Sequence, residues 1–287
     1  MILNRIAWTV WALIPVAGLA YHFGPGQRAY TEDRAGDLLA QARRLDAAAE
    51  TAQETAYTAH LAALTARKTA IDLKTAESAA AAKSAAEAED TAYTQAAAAW
   101  NAAADKLRAA HEMLEATGSD KAPAVRIARN RALIRAGSIA EGVGDLEAML
   151  DTLSERGDAS TPLADHAREE AATGYYYGAR LLRAAGKPAS EWREVSGQAR
   201  QNFRYLAETG TNAADPKVAE RQKNLELVLN LEQSDADDLQ AKPLPKYSPR
   251  RGAEGLRPGN RPGKTKRPPN RRDGRGAGGV GDIEGGW

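Results

Sequence analysis

Apolar positions along this chain fall into several patterns, each predicting a different element. Residues 6–23 form a run of 18 without Lys, Arg, Asp or Glu, with Trp8, Trp11 and Tyr21 towards its ends. That length suits a bilayer core, and amphipathic rings favour the membrane interface, so the run predicts a transmembrane helix. Arg5 precedes it and Arg28 and Arg34 follow, which nearly balances the charge bias. The short N-terminal flank makes a cytoplasmic N-terminus, with the body outside, the simpler insertion. Gly18-Leu19-Ala20 also has the small-x-small form of a signal cleavage site. Gly24-Pro25-Gly26 predicts a hinge after the run.

Residues 37–117 contain neither Gly nor Pro, and alanine dominates them. Alanine loses no side-chain entropy in a helix, so this is a helical stretch. Thr31, Asp33 and Asp37 suit its start, and Thr117-Gly118-Ser119-Asp120 its end. The large apolar residues are sparse: Tyr57, Leu61, Leu64 and Ile71 keep 4-3-7 spacing, and Tyr93, Ala97, Trp100, Ala104, Leu107, His111 and Leu114 keep a 4-3 rhythm. Both read as coiled-coil-like seams. Residues 75–90 hold no large apolar side chain. Propensity favours one continuous rod of ~120 Å through that zone; a hairpin folded there would bury more.

Beyond Gly118 the pattern shortens to helix, turn, helix: 124–135 and 139–154 flank Ala136-Gly137-Ser138, and 163–185 and 190–208 flank Gly186-Lys187-Pro188. Gly174 and Gly178 sit four apart inside a helix, where glycine is costly unless a neighbour approaches closely. Trp192, Val195, Ala199, Asn202 and Leu206 trace one helical face. Leu225, Leu227, Leu229 and Leu231 alternate as a strand would, but Asp215-Pro216 opens the segment as a helix, which predicts a capping helix.

These units resemble tetratricopeptide hairpins. Ala132, Gly137, Gly142 and Leu146 fall where that family places small, turn and large apolar residues, and Ala179 and Gly186 echo them. The resemblance covers 122–209; the family's Trp and Pro positions are not filled, and Glu191-Trp192 replaces a usual small residue. The text of Tyr175, Tyr176, Tyr177, Gly178, Ala179 and Arg180, then Trp192 and 199–208, is similar to small membrane-anchored repeat proteins that accompany von Willebrand A-domain proteins in bacterial envelopes. The resemblance implies partner binding rather than catalysis. The expected architecture is all-α: an anchor and hinge over 1–26, an Ala-rich stalk over 27–121, a helical-repeat region over 122–233 and a disordered basic tail over 234–287.

Charge changes this picture only at the end. The chain has 39 Lys and Arg against 38 Asp and Glu, but from Lys242 onward the count is 12 against 4. An acidic body thus carries a basic, Gly- and Pro-rich tail. Arg250, Arg251, Arg257, Arg261, Lys264, Lys266, Arg267, Arg271, Arg272 and Arg275 are its candidate polyanion-binding residues. Tyr175, Tyr176, Trp192 and Phe203 are candidates for a partner-binding groove or, as the apolar area of aromatic residues favours, for the core of a thin bundle. No cysteine is present, so disulfides, thiolate nucleophiles and Cys metal sites are excluded. His22, His60, His111 and His166 are scattered. Gly263-Lys264-Thr265 lacks the glycine spacing, strand and helix of a phosphate loop. No catalytic constellation or cofactor motif stands out. The reading is a non-enzymatic scaffold joining protein partners at the cell envelope, able to oligomerise through its long helix; the alternative is polyanion binding through the tail.

Overall fold

The computed structural model describes residues 2–21, 24, 26–209 and 216–234. Among them the chain is all-helical, without a strand: α1 (Ile2–Tyr21), α2 (Gln27–Leu73), α3 (Ala76–Ala116), α4 (Ala122–Ala136), α5 (Ile139–Glu155), α6 (Pro162–Ala184), α7 (Ala189–Thr209) and α8 (Pro216–Gln233). The tail and its ten candidate basic residues lie outside the described residues.

The continuous rod does not form. The alanine stretch folds back at Lys74, whose φ of 54° is left-handed and whose N–H reaches the Ala70 carbonyl. Thr75 then caps α3: its Oγ1 accepts from the Ser78 N–H, and Ser78 Oγ accepts from the Thr75 N–H. A reciprocal box of this kind satisfies two orphan donors and starts a helix without Gly or Pro. The helix before the bend also starts earlier than its polar residues suggest, at Gln27.

What holds the two arms together is alanine. Ala35, Ala42, Ala49, Ala56 and Ala63, seven apart, are all 1 % exposed or less. Tyr93, Trp100, Leu107 and Leu114 repeat at the same interval on α3 and are buried too. His60 Nδ1 lies 2.5 Å from Glu89 Oε1 across the arms, fixing an index sum of 149 for facing residues. In that register Ala35 faces Leu114, Ala42 faces Leu107, Ala49 faces Trp100 and Ala56 faces Tyr93, each pair within one buried cluster. Small against large at these four heptads lets the helices approach closely, and two long helices gain by burial what one rod leaves in water. The seam expected from Tyr57, Leu61, Leu64 and Ile71 is therefore misplaced: Tyr57 and Leu64 are half-buried, and Leu61 and Ile71 are exposed. Glu89 is fully buried in the hairpin, held by His60 and by Arg67 Nη2 at 3.2 Å.

The rest is an array in which each helix packs on the next, from α3 on α4 to α7 on α8, with α4 also touching α6. Gly137, at φ 96°, ends α4: its N–H and that of Ser138 return to the Ile134 and Leu133 carbonyls, a turn that a β-carbon would strain. Ile127, Ile134, Ile139, Val143, Leu146, Leu182 and Leu206 fill the centre with almost no exposure. At Gly174 a β-carbon would come within 2.4 Å of Val143 Cγ2, so this glycine is where α6 meets α5. The alternating leucines form a helix, α8, that buries Val228 and Leu231. Ser196 and Arg200 of α7 hold Glu232 of α8 at 2.6 Å each.

The N-terminal helix overturns the expected membrane span. Among the described residues no helix is long and apolar enough to cross a membrane. Asn4 and Arg5 occupy the first turn of α1, which is described as far as Tyr21. Its uncharged part, 6–21, counts 16 residues and reaches ~24 Å, short of a ~30 Å hydrocarbon core. The single-pass placement, with a cytoplasmic N-terminus and the body outside, falls with it.

Candidate partner-binding site

The best-defined polar construction in the molecule is built on α4. This helix carries Arg126, Arg129, Arg131 and Arg135 and no acidic residue, whereas α5 carries Glu141, Asp145, Glu147, Asp151 and Glu155 and no basic one. The helical period divides the four arginines between two neighbours. Arg126 and Arg129, three apart, reach α5: Arg126 contacts Asp145 at 2.6 and 3.0 Å, and Arg129 contacts Glu141 at 3.0 Å. Arg131 and Arg135, four apart, reach α2: Arg131 contacts Asp46 and Arg135 contacts Glu50, both at 3.4 Å. One arginine helix thus fastens the hairpin to the array.

The two sides of this joint differ electrostatically. Burial alone would raise the Asp145 carboxyl, but hydrogen bonds from Arg126 and Asn130, with the charges of Arg126 and Arg129, together hold it below the usual carboxylate range. At Asp46 burial wins over Arg131 and Arg135, and the carboxyl sits above that range. The geometry agrees: Asp46 Oδ1, Arg131 Nε and Trp100 Nε1 are buried with no hydrogen-bond partner among the described residues. The joint on α5 leaves Asn130 Oδ1 without a hydrogen-bond partner among the described residues, but its charged groups are paired; the joint on α2 leaves a carboxylate oxygen and a guanidinium nitrogen without one.

Next to that looser side lies an aromatic strip. The Arg135 guanidinium carbon stands 4.9 Å from the centre of the buried Trp100 ring. Across on α6, burial pushes the Tyr177 phenol up, with the charges of Arg135 and Arg180 pulling the other way. Tyr176 and Tyr177 stand 5.8 Å apart, and Arg180 lies 5.7 Å over Tyr176. Arg131, Arg135, Tyr176 and Tyr177 are each half-buried.

Of the aromatic residues singled out in the sequence, Tyr175, Trp192 and Phe203 belong to one core cluster, each 6 % exposed or less. The Tyr175 hydroxyl donates to Glu147 Oε1, and Arg183 and Arg193 flank the Trp192 ring at 4.9 and 5.2 Å. Tyr176 alone of the four is half-buried, and it packs against that core. Sequence reasoning missed the arginines of α4. The signal was present as a helix with four arginines and no acid beside a helix with five acids and no base. His166 approaches Glu170 at 3.7 Å, but among the described residues no group of three His, Cys, Asp or Glu is placed to hold a metal ion. Comparison with protein families, with curated proteins and with solved structures finds no match.

Proposed function

We propose that this protein is a non-enzymatic scaffold of tetratricopeptide type, whose helical array receives a segment of another protein along the strip formed by Arg131, Arg135, Tyr176 and Tyr177. The supporting observation is that α4 and α6, the leading helices of the two hairpins, touch each other past α5, with Arg131 and Arg135 half-buried on the first and Tyr176 and Tyr177 half-buried on the second. Such a surface suits a partner bearing carboxylates among apolar residues. The two guanidiniums are available to exchange: their contacts to Asp46 and Glu50 are long, at 3.4 Å, and the Arg135 side chain is 39 % exposed. Nothing in the strip resembles an acid/base or nucleophile pair, which favours display over conversion.

A photo-reactive phenylalanine analogue at position 176 of the full chain, irradiated in the cells that make it, tests this reading. Discrete protein adducts are expected, and they should vanish with Arg135→Glu. Adducts no stronger than those from a probe at exposed Arg108 would refute it.

The charge of the C-terminal region favours a second reading. From Lys242 onward Lys and Arg exceed Asp and Glu by eight, enough to bind a polyanion with strong salt dependence. Removal of 242–287 should abolish retention on single-stranded DNA at low salt. Unchanged, salt-sensitive retention would assign the binding elsewhere.

A further inference from the structure

The arginines of α4 hold their two sets of carboxylates differently. Towards α5, Arg126 and Arg129 make carboxylate hydrogen bonds of 2.6 to 3.0 Å. Towards α2, Arg131 Nη2 meets Asp46 Oδ2 and Arg135 Nη1 meets Glu50 Oε1, each by a single contact of 3.4 Å. A guanidinium and a carboxylate in good register form two parallel bonds of about 2.7–2.9 Å. Here Asp46 Oδ1 and Arg131 Nε, the atoms that a second bond would use, are buried with no partner among the described residues. At the Asp46 carboxyl burial outweighs both arginines, so the pairing does not offset its own desolvation. Nor does the joint depend on it. Packing already sets α4 against α3, α5 and α6, and Ala42 and Ala49 of α2 share one buried cluster with Ala132 and Ala136 of α4.

We propose that Asp46 and Glu50 are built-in competitors, which occupy Arg131 and Arg135 until the carboxylates of a partner segment displace them. This inference rests on the scaffold reading of the strip and adds how that strip is regulated. The two guanidiniums are the ones offered to the partner, with side chains 34 % and 39 % exposed. An internal carboxylate that holds a guanidinium part of the time lowers its apparent affinity for an external one by the fraction of time the guanidinium is free. Exchange keeps the charge of the site balanced. The displaced Glu50 has only to turn into water, where its side chain is already 64 % exposed. Pairs as open and as long as these are weak, so the brake is mild, and a segment carrying two or more carboxylates overcomes it.

The probe is the photo-reactive phenylalanine analogue at position 176 of the full chain, irradiated in the cells that make it. The yield of Arg135-dependent adducts should rise roughly threefold with Asp46→Asn or with Glu50→Gln, and further with both together. Glu87→Gln removes an exposed acid from α3, too far from the joint to act through screened charge, and should leave the yield unchanged. The denaturation midpoint should not fall in any of these variants, whereas acids that served only to tie the helices would lower it without raising the yield. An Arg135-dependent yield that rises with neither Asp46→Asn nor Glu50→Gln, or that rises equally with Glu87→Gln, overturns the competition and leaves the scaffold reading standing. Absence of Arg135-dependent adducts from the unmodified chain and the double variant alike overturns both.

Discussion

The hairpin and the helical array solve the same problem with opposite materials. The array buries large side chains, Ile127, Ile134, Leu146, Leu182 and Leu206, around a compact centre, each contributing ~1.5–3 kcal/mol of transfer free energy. The hairpin's α2 contributes mainly methyl groups, worth ~0.8 kcal/mol apiece, and compensates by length, repeating the contact every seven residues over helices of 47 and 41 residues. A small core can tolerate few gaps, whereas a long seam of alanine can tolerate little added bulk. The two regions should fail in opposite ways.

The largest effect tests that contrast directly. Leu146→Ala should open a cavity in the array and cost ~2–5 kcal/mol, whereas Ala49→Leu should force the hairpin arms apart and cost ~1–3 kcal/mol. Amide hydrogen exchange should report faster opening of α5 and α6 for the first variant and of α2 and α3 for the second. Equal protection loss across both regions would show that they unfold as one unit. Gly174→Ala, which places a β-carbon against Val143, should cost ~1–3 kcal/mol by overpacking, read from the denaturant midpoint.

The joint between the regions gives a finer contrast, in sign. Asp145, held below its ordinary value, contributes stability above the unfolded carboxylate pKa of roughly 3.9 and loses it as pH falls through its folded value. Asp46, held above its ordinary value, does the reverse: its contribution is present below that unfolded pKa and is lost as pH rises through its folded value. At neutral pH Asp145→Asn should therefore lower the denaturation midpoint, while Asp46→Asn should leave it unchanged or raise it. On acidification both differences should shrink. Two losses of similar size at neutral pH would mean that the sides of the joint are equivalent. The smallest expected effect is at the bend, where Lys74→Gly should gain ~1 kcal/mol by relieving a left-handed lysine, measured by thermal or urea unfolding.

The helical character of the chain was legible from alanine content and from the turn residues Gly118, Gly137 and Gly186. The bend was not, because Lys74 and Thr75 are poor punctuation in sequence; Thr75 with Ser78 becomes a stop and start only once both arms have something to bury. Large apolar residues misled in α2, since Tyr57, Leu61, Leu64 and Ile71 drew the eye from the alanine heptad that carries the seam. Tyr175, Trp192 and Phe203, which the sequence left between a groove and a core, go to the core, as their size favours. The N-terminal run was read by composition, whereas Asn4 and Arg5 share the first turn of α1 and no described helix is long and apolar enough to cross a membrane.

The constant index sum across the hairpin also sets an order of events. Every facing pair lies nearer the bend than the pair before it, so the two arms can zip from Lys74 outward, each step closing a loop only slightly longer than the last. During synthesis the second arm finds its template already made. When α4 follows, Asp46 and Glu50 are waiting for its arginines, and the array can grow from a prepared edge.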